Sequence, residues 1–200
     1  MDKNRAGLLG RLWAEGRAFD AGQEDRLNRR RNLEPESAQL LNLLVRSISP
    51  SAVLELGTSN GYSTVWIADA LEATDGHLVT VECDEGRAAE AARNLAAAKV
   101  ADRVEQRVDD AGRVLASEAA EAWSVVFLDA ERPAYTSYWP DLCRILAPGG
   151  LLVVDNCISH ADQVVDFRAL VDATPGYRSS LLPVGAGLLL IGKDRLVDER

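Results

Sequence analysis

The sequence predicts an α/β fold with a parallel sheet covered by helices on both faces. Three observations carry this. Short apolar runs alternate with helical segments from residue 52 to residue 154. The runs are continuously apolar, the pattern of strands buried on both faces rather than one. The first run ends in an acid and a Gly-containing turn, Val53-Leu54-Glu55-Leu56-Gly57-Thr58-Ser59-Asn60-Gly61, and passes into a helical pattern through Val65, Ala68 and Leu71. A buried strand turning sharply into a helix makes a ligand site at the strand's carboxyl end.

The elements follow in order. Residues 6–31 read as an Arg/Leu-rich, weakly amphipathic helix. Pro35 opens a second helix, with Ala38, Leu41, Leu44 and Val45 on one face and Pro50 ending it. Strands are expected at 52–56, 78–82, 104–108, 124–128 and 150–154, and helices at 60–73, 85–98, 111–120, 133–147 and 160–173. The Ala-rich stretch 88–98 is helical on propensity alone. Thr174-Pro175-Gly176 marks a turn, after which runs at 177–183 and 187–192, joined through Gly185 with no helix between them, predict an antiparallel hairpin. Two hundred residues are most simply one domain, with 1–48 as a helical N-terminal segment and 51–193 as the core.

Composition excludes several classes. The net charge is −9 and the pI about 4.8, which disfavours a nonspecific polyanion binder. Charge is uneven: residues 1–31 sum to +3 and the remainder to −12. Arg29-Arg30-Arg31, the one basic run, reads as a solvated helix end. Cys83, Cys143 and Cys157 are odd in number and lack metal-ligand spacing, so reduced thiols in a cytoplasmic protein are expected. No charged-then-apolar leader stands at the N-terminus, and no apolar run reaches the ~18 residues of a membrane span.

The Gly turn is not the dinucleotide fingerprint, because Ser59 holds the position of that pattern's middle glycine. It resembles motif I of the class I S-adenosylmethionine (SAM)-dependent methyltransferases, E-x-G-x-x-x-G. The second strand ends in Glu82, where one carboxylate accepts from both hydroxyls of a ribose; an acid beside a helix N-terminus has the same appearance. The third ends Val108-Asp109-Asp110-Ala111, similar to the family's Gly-Asp-Ala beside the adenine amino group, although Asp110 equally suits a helix N-cap. Leu146-Ala147-Pro148-Gly149-Gly150 resembles the family's L-x-P-G-G and is expected to end a helix before strand five. The resemblance implies a Rossmann-like seven-stranded sheet of order 3-2-1-4-5-7-6 with strand 7 antiparallel. It also implies SAM as cofactor, held by Glu55, Gly57, Ser59, Gly61, Tyr62, Ser63, Glu82, Asp110, Ala111 and Asp129.

Strand four ends Phe127-Leu128-Asp129-Ala130-Glu131-Arg132-Pro133-Ala134-Tyr135, and strand five Val153-Val154-Asp155-Asn156. These resemble the F-[IV]-D-A-D-K-x-x-Y and A-D-N segments of the cation-dependent catechol and caffeoyl-CoA O-methyltransferases and their small bacterial relatives. The family's metal ligands carry over to Asp129, Asp155 and Asn156, an oxygen set suited to Mg²⁺ or another hard divalent cation. The family's Lys is Arg132 here. An Arg cannot serve as a base but can hold an oxyanion, or bind a carboxylate or phosphate of the substrate. His160, four residues past Asn156, is the alternative base. Tyr62, Tyr135, Tyr138 and Trp139 are candidate pocket walls, and His77 is expected to be structural or solvated.

The expected activity is SAM-dependent methyl transfer to a hydroxyl of a small, catechol-like acceptor, assisted by a divalent cation. The N-terminal helices would cap the substrate or form a homodimer contact, as the resemblance implies. Two alternatives stay open: a tRNA hydroxyuridine methyltransferase, favoured by the Arg run and opposed by the acidic body, and a non-catalytic SAM-binding module.

Overall fold

The computed structural model describes residues 1–25 and 29–195. Seven strands form one sheet, in the order β3-β2-β1-β4-β5-β7-β6. They are β1 (Ala52–Leu56), β2 (His77–Glu82), β3 (Val104–Val108), β4 (Trp123–Leu128), β5 (Leu146–Val154), β6 (Tyr177–Leu182) and β7 (Leu188–Lys193). The first five run parallel, and β7 pairs antiparallel with both β5 and β6. The expected order and the antiparallel seventh strand are both found.

Period-two alternation divides the core. Val53, Val125, Phe127 and Val153 face one side, with α2 (Pro35–Ile48), α3 (Tyr62–Leu71) and α4 (Glu85–Ala98). Leu54, Leu56, Val126, Leu128 and Val154 face the other, with α5 (Ala111–Ser117), α6 (Tyr135–Ile145) and α7 (Ala161–Ala173). Both faces of the central strands are apolar because both are covered; β3, at the sheet edge, is instead Val-Glu-Gln-Arg-Val and only partly buried, not a continuously apolar run. Among the described residues no helix is long and apolar enough to cross a membrane.

Three further expectations need correction. The first helix, α1, spans Lys3–Ala21 rather than 6–31; residues 26–28 of that expectation lie outside the described residues. Arg29-Arg30-Arg31 is therefore no helix end. The three belong to an extended strap ahead of α2, where Asp20 accepts from the backbone N–H of Arg30 (2.7 Å) and of Arg31 (2.9 Å). Finally, Leu146-Ala147-Pro148-Gly149-Gly150 is the first half of β5, not a helix end. Helix α6 stops at Ile145, and Pro148 restricts its predecessor to extended backbone. Leu146 pairs with Trp123, and the register shifts before Leu151 pairs with Val125.

A weakly amphipathic α1 needs more than apolar contact to dock. Besides Leu8, Leu9 and Leu12, a buried polar cluster ties it down. Arg5 donates to Asp69 of α3 (2.6 Å), to both oxygens of Glu72 (2.8 and 2.7 Å) and to the Ala98 carbonyl at the end of α4 (3.1 Å). Arg46 and Asn42 of α2 also donate to Asp69. Burial alone would raise the Asp69 carboxyl, but these donors outweigh it and hold it below the usual carboxylate range.

A second buried acid ties β1 to α3 and β2. Glu55 is fully buried and accepts from Ser63 Oγ (2.6 Å), Thr64 Oγ1 (2.6 Å) and Thr80 Oγ1 (2.7 Å). Burial pushes its carboxyl up to about 7, against the pull of the three hydroxyls.

Two outcomes follow. Asp69→Ala leaves the Arg5 guanidinium with the exposed Glu72 as its only charged partner in the cluster, beside the Ala98 carbonyl, and is expected to cost about 3 kcal/mol, seen as a melting-temperature drop on the order of 10 °C. A loss within that of ordinary surface variants would refute the tie. Glu55 has a raised folded pKa, so its contribution is full below the unfolded value and is lost as pH rises through about 7. Glu55→Gln should therefore gain stability relative to wild type between pH 5 and 8, by roughly 3 kcal/mol at most. Parallel melting curves across that range would contradict the assignment.

Candidate active site

The carboxyl ends of β1, β2 and β4 open onto one cavity. Gly57 makes this geometry possible. Its φ is +105°, and a Cβ there would collide with the backbone carbonyl of Asp129, so β1 and β4 could not converge with any side chain at this position. The turn continues through Ser59, itself at φ +48°, and Gly61 starts α3 at φ +83° against the Ala91 backbone.

The cavity gathers most of the residues expected to hold SAM. Gly57, Ser59, Tyr62, Ser63, Glu82, Asp110, Ala111 and Asp129 all line it. Glu82 is held by the backbone N–H of Ser59 (2.8 Å) and of Asp84 (3.0 Å), one on each oxygen. Each oxygen keeps acceptor capacity for a diol. Asp110 lines the cavity and also caps α5, accepting from the Arg113 N–H (3.0 Å), so its two expected roles coincide. Glu55 and Gly61 are outside the lining. Glu55 lies behind the turn, and its reach ends at the three hydroxyls.

A second cavity adjoins the first. It is lined by Asp155, Asn156, Ser159 and His160 after β5, by Trp13, Arg17 and Asp20 of α1, by Arg31, Asn32 and Glu34 of the strap, and by Ala186 of the β6–β7 turn. The turn fixes the loop after β5: Cys157 N–H donates to the Gly187 carbonyl (2.9 Å), and the N–H groups of Ile158 and Ser159 donate to Ala186 (3.0 and 2.9 Å). His160 stands at the N-terminus of α7, with Nδ1 2.9 Å from Ser159 Oγ.

Asp129, Asp155 and Asn156 meet where the cavities adjoin. Asn156, in the left-handed region at φ +65°, donates from Nδ2 to Asp155 (2.9 Å) and to Asp129 (3.3 Å). Burial pushes Asp129 up to about 6 against the charges of Arg31 and Arg132. Asp155 is raised well above the usual carboxylate range by burial and by Asp129. Among the described residues, no three His, Cys, Asp or Glu side chains cluster as metal ligands; this group is two carboxylates and an amide.

Arg132 lies elsewhere. It is 5% exposed, lines neither cavity, and donates from Nε to Gln163 Oε1 of α7 (2.9 Å). Of the aromatic candidates, Tyr62 and Tyr138 line the cofactor cavity. Tyr135 and Trp139 pack edge-on against Phe167 in the core. His77 is exposed at the start of β2. The strap residues and Trp13 and Arg17 escaped sequence reasoning as site residues. The Arg run was visible, but its placement depends on Asp20 and on contacts up to a hundred residues away.

Comparison with known proteins agrees with this geometry. Residues 21–194 match the O-methyltransferase family. A catechol O-methyltransferase of Niastella koreensis is 35% identical over 158 residues, covering 78% of this chain and 71% of the relative. Among solved structures, the O-methyltransferase TomG of Streptomyces achromogenes in complex with SAM superposes with a TM-score of 0.78 at 28% identity, covering 97% of this chain and 91% of TomG. An O-methyltransferase of Bacillus cereus in complex with SAH gives 0.77 at 25% identity, covering 94% and 91%. With a matching sheet, a cavity at the carboxyl ends of its strands and a family match over most of its length, the chain belongs to the SAM-dependent O-methyltransferases.

Proposed function

We propose that the chain transfers the methyl of SAM to a hydroxyl of a small, catechol-like acceptor, with a divalent cation held by Asp129, Asp155 and Asn156. SAM would occupy the cavity with Glu82 on its ribose and Asp110 near its adenine. The acceptor would enter the second cavity, capped by the N-terminal segment. Trp13, half-buried beneath the Arg17 guanidinium at 5.0 Å, offers an aromatic wall there.

One observation carries the cation. Asp155 is 2% exposed, and its Oδ1 is buried with no hydrogen-bond partner among the described residues. A buried acceptor left unmatched is costly, and here it adjoins a second, half-buried carboxylate, Asp129. The donor set of two carboxylates and an amide fits a hard cation, once Asn156 turns its oxygen inward. Such an ion supplies positive charge that lowers the pKa of an acceptor hydroxyl. The protein would orient the acceptor and exclude water, and His160, which lines the same cavity, would take the hydroxyl proton.

The basic run supports a small acceptor over tRNA, because its members are engaged within the chain. Arg29 donates to the Gln23 carbonyl, Arg30 pairs with Glu90 (2.8 Å) and covers the Phe19 ring, and Arg31 pairs with Glu131 (2.6 Å).

Calorimetric titration of Mg²⁺ into the SAH-saturated protein tests the cation. Saturable binding is expected in wild type and its loss in Asp155→Ala. The affinity should weaken as pH falls through about 6, where protons compete for Asp129. SAH binding with no heat from Mg²⁺ at pH 8 would sink the cation and leave methyl transfer to the side chains alone.

A further inference from the structure

The methyl must pass from one cavity to the other, so a residue that serves the transfer has to face both. Among the described residues, only Arg31 and Asn32 line both cavities. Arg31 sits in the left-handed region at φ +50°, unusual for a residue that is neither Gly nor Asn. Asp20 holds it there through the backbone N–H (2.9 Å). Such a strained position persists where surrounding contacts over-determine it, and these positions cluster at functional sites. The guanidinium donates from Nη2 to Glu131 Oε1 (2.6 Å), which is more than half exposed, so solvent screens that pair and the remaining donors of the fork stay available. Arg31 and Asp129 line the same cavity. Asn32 complements Arg31. Its Nδ2 is fixed on the Leu12 carbonyl (3.1 Å), and its Oδ1 is buried with no hydrogen-bond partner among the described residues.

We propose that Arg31 is the guanidinium that meets the acceptor oxygen, stabilising it as an oxyanion at the junction of the cavities, with Asn32 Oδ1 receiving the neutral hydroxyl on arrival. This rests on the methyl-transfer reading above. The hydroxyl gives its proton to His160 of the second cavity as the oxygen ionises. A lone pair of that oxygen then forms the O–CH₃ bond, the C–S bond breaks, and its electrons return to sulfur, leaving the neutral thioether SAH. Arg31 keeps its proton throughout, so its part is charge and direction. Arg132, held on Gln163, lines neither cavity.

The test uses 4-nitrocatechol, whose phenolate is coloured, bound to the SAH-saturated protein in saturating Mg²⁺. Its apparent pKa when bound is read by absorbance for wild type, Arg31→Met and Arg31→Lys, with SAH affinity measured in parallel. Wild type should lower the probe's pKa. Arg31→Met should return it upward by about one unit or more, Arg31→Lys should lie between, and SAH affinity should stay within about threefold. Methylation of catechol should slow by about 100-fold in Arg31→Met, the scale of one lost oxyanion donor. Equal lowering in wild type and Arg31→Met would overturn the role of Arg31 while leaving the methyl-transfer reading intact. A wild type that neither perturbs the probe nor methylates catechol would overturn both.

Discussion

Everything at this site depends on how closely two parallel strands converge. Beyond Leu56 and Leu128, the chains of β1 and β4 come near enough that the Asp129 carbonyl occupies the space a Cβ would need at residue 57. That contact sets where the motif turn begins, where Asp129 emerges and therefore where the first cavity opens. Behind it, the buried Glu55 keeps the first turn of α3 and the middle of β2 in register through three hydroxyls. The acid does not touch the cavity, yet it supports the turn that does.

The second half of the site has a different origin. The loop after β5 is braced by the β6–β7 turn, and the opposite wall comes from α1 and the strap. Neither wall belongs to the sheet. Helix α1 reaches its place through the Arg5–Asp69 cluster. Asp20 near its end then spends both carboxylate oxygens on consecutive backbone N–H groups of the strap. A buried ion pair is a weak source of net stability but a strong source of orientation when its partners are fixed, and orientation is what a wall assembled from the N-terminus requires.

The sheet and cofactor half were legible in the sequence because their signals are local. Apolar runs, a Gly turn and acids at three strand ends each declare themselves within a few residues. Of the second cavity, only Asp155, Asn156 and His160 after strand five, and the general idea of an N-terminal cap, were legible. Trp13 and Arg17 carry no motif, and the Arg run looks like a solvated helix end until Asp20 is seen to accept from the backbone N–H groups of Arg30 and Arg31. The Pro-Gly-Gly segment misled for a related reason. Pro148 and the glycines signal a break, but the helix had already ended at Ile145, and β4 was free to pair with the extended chain. Arg132 was suspected from its alignment with a family Lys; its capture by Gln163, thirty-one residues on, has no sequence signature.

The division between the two halves has an evolutionary consequence. The first cavity is anchored in strand ends and in Gly57, where a Cβ would collide with the Asp129 carbonyl. The acceptor wall is drawn largely from residues 13–34, which contribute no strand to the sheet. Arg30, Arg31, Asn32 and Leu33 of that stretch also line the first cavity, so an exchange there would reshape one wall of both cavities together. A lineage built this way cannot alter its acceptor wall without also touching the rim of the neighbouring cavity.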